Sequence, residues 1–218
     1  MLNELYKYRF QIFLFSQLTL LFGALVFPIE IYDTKISPVL HLFNLSTGLF
    51  LLHKKKKTFW LVLLLILLAT LSFSLDIFEK AGKYFVDILR ISSYFIFHIV
   101  VTRELIIQVW NTKNIDQKTI LGLISGFISL GFIGFFICLL VEIFYPGSFS
   151  FPENGISTIQ NLMYFSYITL LTIGYGEILP ENVLAQKAVV FIGLIGQIYL
   201  VVLMGIVIGK YINQEKTP

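Results

Sequence analysis

An all-α membrane protein, with six transmembrane helices plus one short re-entrant helix, is the fold class this sequence predicts, and three observations carry it. Of 218 residues, 57% are hydrophobic and only 13% are charged, and the mean hydropathy is +0.84, which leaves too little polar surface to clothe a soluble globule. Nearly uncharged stretches recur at lengths close to the ~17–25 residues that a helix needs to cross lipid. Nothing alternates with the period of two that a barrel strand requires, and a lipid-exposed segment has to satisfy its own backbone, which a helix does.

The six stretches are Phe10–Ile29, Ile36–Leu52, Phe59–Leu75, Tyr84–Thr102, Thr119–Val141 and Ala188–Gly209. Lys7 and Arg9 ahead of the first give it the look of a secretory signal. Its apolar run is too long for that and no small-x-small cleavage site follows, so it reads as an uncleaved span. Orientation follows from the basic residues. Lys7 and Arg9, the four lysines Lys54–Lys57, then Arg103, Lys113 and Lys118, and finally Lys210 and Lys216 all fall on one side if the spans alternate, against Lys35, Lys80, Lys83 and Lys187 on the other. The positive-inside rule therefore places both termini in the cytoplasm of a multi-pass protein of the plasma (inner) membrane. Lys54–Lys57 is first a topology signal, and second a candidate contact for anionic lipid headgroups. Nothing points to a nucleic acid.

Between the fifth and sixth stretches, Ser157 or Asn154 can cap a helix from about Thr158 to Leu171. At ~1.5 Å per residue it reaches only about two-thirds of a ~30 Å hydrocarbon core, so it dips in and stops, with the negative end of its dipole at the membrane centre. Thr172-Ile173-Gly174-Tyr175-Gly176 follows directly. A glycine at alternate positions permits backbone conformations that cost a residue with a Cβ about 1–2 kcal/mol each. Such a strip can present main-chain carbonyls, and the Thr172 hydroxyl, to a dehydrated cation. Glu177 adds negative charge beside it, and Pro180 turns the chain back to the surface. A turn between two membrane helices is the bland alternative.

Tyr164-Phe165-Ser166 through Thr169, followed by Thr172-Ile173-Gly174-Tyr175-Gly176-Glu177 and Pro180, closely resembles the pore signature of the tetrameric potassium channel family, over roughly residues 118 to 211. The resemblance implies an outer helix, a pore helix, a selectivity filter and an inner helix, arranged four times around an axis. Thr172, Ile173, Gly174, Tyr175 and Gly176 would bind K+ as the permeant ion, Glu177 would stand at the filter mouth, and no organic cofactor is implied. Gly196, nineteen residues beyond Glu177, falls where the family's hinge glycine lies, although a glycine in a membrane helix is as often there for close packing. Three positions depart from the family pattern: Leu171 stands where a second threonine is common, Glu177 replaces aspartate, and Ile168 occupies a place some members give to glutamate. They bear on the bracing behind the filter. With no internal repeat in 218 residues, one chain supplies a quarter of the rings, so a homotetramer in the lipid bilayer is expected.

Six-span members of the family often carry a basic residue at every third position of the fourth helix, and this chain does not. Only Arg90 is well inside the fourth stretch, and Asp87 three residues earlier can pair with it. A steep voltage response uses about 3–4 gating charges per subunit, so a single Arg90 fits either a shallow sensor or an ion pair that holds the bundle. After it, Leu105, Ile106, Val109 and Trp110 recur at helical spacing, which predicts a helix lying in the cytoplasmic interface. The predicted domains are a four-helix scaffold or sensor-like domain over residues 1–117 and a pore domain over 118–218. With nine residues after Gly209, a tethered ligand-binding domain is not expected unless the chain is truncated or recruits a partner.

The remaining singletons read mostly as structural, with His98 in the fourth stretch either a packed polar residue or a proton-sensitive one. Cys138 is the one cysteine and sits mid-span, His41, His53 and His98 lack metal-ligand spacing, and the Asn44-Leu45-Ser46 acceptor sequence lies within a span. Glu142 and Glu153 either add to the mouth's field or are solvated. No nucleophile–base constellation, phosphate loop or dinucleotide fingerprint is present, so an enzyme is not expected. The sequence predicts a K+-selective channel, weakly or not voltage-gated. A voltage-gated or less selective cation channel, and a non-conducting anchor or uptake subunit, are the alternatives.

Overall fold

A computed structural model describes residues 6–53, 55–77, 83–112, 115–153 and 155–215. Lys54, Lys80, Lys113, Asn154 and Lys216, named above, lie outside the described residues. The chain forms two compact units, Met1–Gly126 and Phe127–Pro218.

The first unit opens with α1 (Arg9–Phe22), which tightens into a 3₁₀ turn at Gly23–Leu25. The predicted first span does not run on to Ile29. Gly23 lies so close to the Tyr32 ring that a Cβ there would sit 2.7 Å from it, and Pro28 takes an extended ψ of 135° that no helix interior accepts. A short turn at Ile29–Ile31 and a π turn at Tyr32–Ile36 lead into α2 (Ser37–Leu52), so that the helical stretch Ile29–Leu52 has 24 residues. Polar residues that interrupt these apolar stretches face one another. The Asn44 amide donates to Ser16 Oγ at 2.9 Å, Ser16 and Thr47 hydroxyls lie 2.8 Å apart, and Ser125 donates to Gln17 at 2.6 Å, all buried. The Ser16, Thr47 and Ser125 hydroxyls and the Asn44 amide nitrogen thus find partners rather than standing against hydrocarbon.

α3 (Lys56–Ile77) and α4 (Lys83–Asn111) complete the bundle. α4 is 29 residues long, and the interfacial helix expected after Thr102 is simply its continuation. Leu105 and Val109 are buried in the unit, not spread on a membrane surface. What holds this end is polar: Lys55 Nζ meets the buried Glu104 carboxylate at 2.6 Å, Arg103 reaches the same group at 3.1 Å, and Gln108 donates to the Leu51 carbonyl while accepting from Arg9, both at 3.0 Å. Lys55→Met is expected to destabilise the bundle by about 1–2 kcal/mol, since Arg103 shields Glu104 only in part, and thermal unfolding in detergent measures it. Higher on the same helix, Arg90 is ion-paired with Asp87, both partly buried, and the His41 ring stacks on Tyr94 at 4.6 Å.

α5 (Gln117–Phe144) starts at Asp116, whose carboxylate accepts from the Thr119 amide at 2.8 Å and the Thr119 hydroxyl at 2.7 Å. Burial works against the charged form, but those two bonds and the charge of Lys118 hold the Asp116 carboxyl below its ordinary range. The cap's contribution is therefore present at neutral pH and is lost as pH falls through that lowered value. Asp116→Ala is expected to cost roughly 1 kcal/mol at pH 7 and progressively less in acid, read from unfolding midpoints across pH.

In the second unit α5 continues to Phe144, α6 (Thr158–Leu170) follows, and α7 (Val183–Ile198) passes through a π turn at Tyr199–Leu203 into α8 (Met204–Glu215). Two short strands, β1 (Phe149–Ser150) and β2 (Leu179–Pro180), pair antiparallel with Phe149 opposite Pro180, so a small ribbon ties the segment before α6 to the segment after Gly176. Among the described residues, four helical stretches are long and apolar enough to cross a membrane: Ile29–Leu52, Phe85–Asn111, Gln117–Phe144 and Val183–Asn213.

Candidate functional site

Ser157 caps α6 by accepting from the Gln160 amide at 3.3 Å, and the helix runs for 13 residues, about 20 Å at 1.5 Å per residue. Its far end closes in a Schellman pattern. The Thr172 amide bonds Thr169 O at 3.0 Å and the Ile173 amide bonds Ile168 O at 2.8 Å, which puts Thr172 in the left-handed position that glycine normally fills. Thr172 accordingly has φ 58°. A β-branched residue there is strained by about 1–2 kcal/mol, a cost whose one local sign is the absence of glycine at that cap.

The left-handed turn then recurs with period two. Gly174 has φ 56° and Gly176 has φ 88°, while Ile173 and Tyr175 between them keep negative φ. Alternating hands turn successive amide groups to one flank of a strand and the carbonyls to the other. The segment from Leu171 to Glu177 is exposed in the single chain, Tyr175 to 75%. A built Cβ at Gly174 or Gly176 would meet nothing within 4 Å, so the glycines answer a backbone demand and not a shortage of room.

Three glycines seat α6. A Cβ at Gly131 would collide with the Tyr167 ring, one at Gly134 would lie 2.7 Å from Ser166 Oγ, and one at Gly196 would lie 2.8 Å from the Leu170 carbonyl. Gly196, expected as a hinge or as a packing residue, here lies directly against the last turn of α6. The helical irregularity of this segment falls instead at the π turn Tyr199–Leu203. Ser166 donates to the Gly131 carbonyl at 2.6 Å and Tyr167 to the Ile128 carbonyl at 2.8 Å. Both residues lie in the Tyr164-to-Thr169 part of the pore signature, which does not name their carbonyl partners on α5; the sequence signal for the close approach is the Gly131-x-x-Gly134 spacing.

The loops flanking α6 and the strip are held by their own polar groups. Glu142 accepts from the Gly147 amide at 2.8 Å and the Phe149 amide at 3.1 Å, so its carboxylate braces the loop. Asn182 caps α7 through Ala185 at 2.9 Å and donates to Ser148 at 2.7 Å. Glu177 accepts a hydrogen bond from Tyr164, which pushes the Tyr164 phenol up to about 12, with burial and the nearby Glu177 charge adding to it. The structure therefore brings Thr172, Ile173, Gly174, Tyr175, Gly176 and Glu177 into one strip, with Gly196 behind its root. Asp87 and Arg90 lie in the other unit.

Residues 123–213 match a family model described as an ion channel. No curated protein and no solved structure matches the chain. The matched stretch takes in α6, the strip and α7, and it supports an ion channel in a membrane protein whose helices are apolar and long.

Proposed function

We propose that this chain is one subunit of a K+-selective channel, in which four copies of Thr172–Gly176 surround one axis and pass K+ down its electrochemical gradient. The observation that carries it is the left-handed φ at Thr172, Gly174 and Gly176, every second residue of a strip at the end of a short helix. That backbone is costly and is of use where carbonyls must line up to replace the water around a cation. α6 is then the pore helix, α5 the outer helix and α7 with α8 the inner helix, and the four peripheral helices α1–α4 bring the spans to six, with both termini in the cytoplasm. Exposed apolar side chains along α7, among them Val190, Phe191, Leu194 and Ile198, suit contact with lipid and with other copies.

In this reading voltage has little hold on the pore, because Arg90 is spent on Asp87 rather than free to cross a field. Lys55 is likewise taken by Glu104, so anionic lipid at the lysine cluster falls mainly to its exposed neighbours Lys56 and Lys57. Bi-ionic reversal potentials of the purified protein in planar bilayers test the function. A reversal set by the K+ gradient is expected. A reversal indifferent to exchanging K+ for Na+ points to a non-selective cation pore, and no conductance at all points to an anchor or uptake subunit.

A further inference from the structure

We propose that Ser166 and Tyr167 are positioning residues for ion selection, holding the Thr172–Gly176 strip by fastening α6 to backbone carbonyls of α5. This rests on the reading of the strip as a filter. A carbonyl cage discriminates between cations of similar charge only while its oxygens keep their places, and a site of that kind needs its supporting groups fixed to within about 0.5 Å. Two side chains immediately behind the strip, Ile168 and Leu171, are hydrocarbon and make no hydrogen bond through their side chains. Polar support comes from the two residues just before Ile168. Ser166 Oγ donates to Gly131 O at 2.6 Å and Tyr167 Oη donates to Ile128 O at 2.8 Å, linking residues 35 and 39 positions apart in the chain.

The two acceptors lie one turn apart on α5, so together they resist both rolling and sliding of α6 along it. Each is a helix carbonyl with a second lone pair to give, so α5 need not surrender its own bonds. The approach is possible because Gly131 and Gly134 leave no Cβ in the way, and the Tyr167 ring meets Phe132 edge-on at 5.9 Å. Movement of α6 passes directly into the strip, since the Ile173 amide is bonded to Ile168 O at 2.8 Å within the same helix end. On the opposite flank Leu170 rests on Gly196.

Tyr167→Phe and Ser166→Ala remove a hydroxyl each and keep the packing. In bilayers containing the full-length protein, the double variant is expected to lower the K+/Na+ permeability ratio by about tenfold or more and to shorten the life of the open current. Ser46→Ala, which deletes a similar hydroxyl-to-carbonyl bond at Leu42 in the first unit, is expected to leave both unchanged. An unaltered ratio and time course in the double variant, alongside a lowered melting temperature, overturns the proposal and leaves the pair as packing residues. Where the double variant fails to reach the membrane, Tyr167→Phe alone carries the test, with the same two outcomes. A wild-type protein without K+ preference contradicts instead the filter reading underneath.

Discussion

Gly174→Ala is expected to abolish K+ flux while the protein still inserts and assembles. The built Cβ touches nothing within 4 Å, so the change has no steric effect on the single chain, yet φ at this residue is 56° and an L-residue with a Cβ resists it. The penalty is about 1–2 kcal/mol per strip, and about 4–8 kcal/mol when four strips must hold the conformation together. A backbone that relieves this strain by moving to negative φ turns the intervening carbonyl away from the axis, and the ring at that level loses its oxygens. Gly176→Ala, at φ 88°, is expected to act in the same way. Flux into K+-loaded liposomes is expected to fall by at least about 100-fold, the scale of a lost ion site. Wild-type flux in both variants removes the filter assignment.

Gly131→Ala carries the second large effect, and for the opposite reason. φ there is ordinary helix, and the whole cost is steric, because the added methyl would occupy the space of the Tyr167 ring. Overpacking of that kind costs about 1–3 kcal/mol. It also parts Ser166 and Tyr167 from their carbonyl acceptors, so loss of stability and loss of selectivity are expected together. The thermal midpoint of the purified protein in detergent is expected to drop by several degrees, at roughly 2–4 °C per kcal/mol for a chain of this size. Replacing Tyr167 by Leu in the Gly131→Ala background is expected to recover part of the midpoint, and a double-mutant cycle with no coupling would show that the two side chains do not share the space described.

The strip and the helix before it were legible because their signals are local. Glycine at two alternate positions, Ser157 before a 13-residue helix, and an apolar run too short to span each speak through neighbouring residues alone. Thr172 escaped, since its left-handed φ is imposed by the way α6 ends and not by anything threonine prefers. The apolar run continues past the end of α1, because Gly23 and Pro28 stop the helix through backbone effects that hydropathy does not register. Leu105 and Val109 show a deeper limit. A stripe at helical spacing looks the same whether it faces a membrane surface or a protein core, and the decision rests with Lys55 meeting Glu104 across 49 positions of sequence. The short β ribbon, the Glu142 brace and the Ser166 and Tyr167 bonds are long-range in the same sense, joining segments that no window on the sequence holds together.

The most direct measurement is an experimental structure of the purified protein with an electron-dense K+ substitute such as rubidium or thallium. The expected result is four copies around one axis, with a column of ion density on that axis between the carbonyls of Thr172, Ile173, Gly174 and Tyr175. A monomer, or a tetramer whose Thr172–Gly176 strips face away from the axis and hold no ion, contradicts the account.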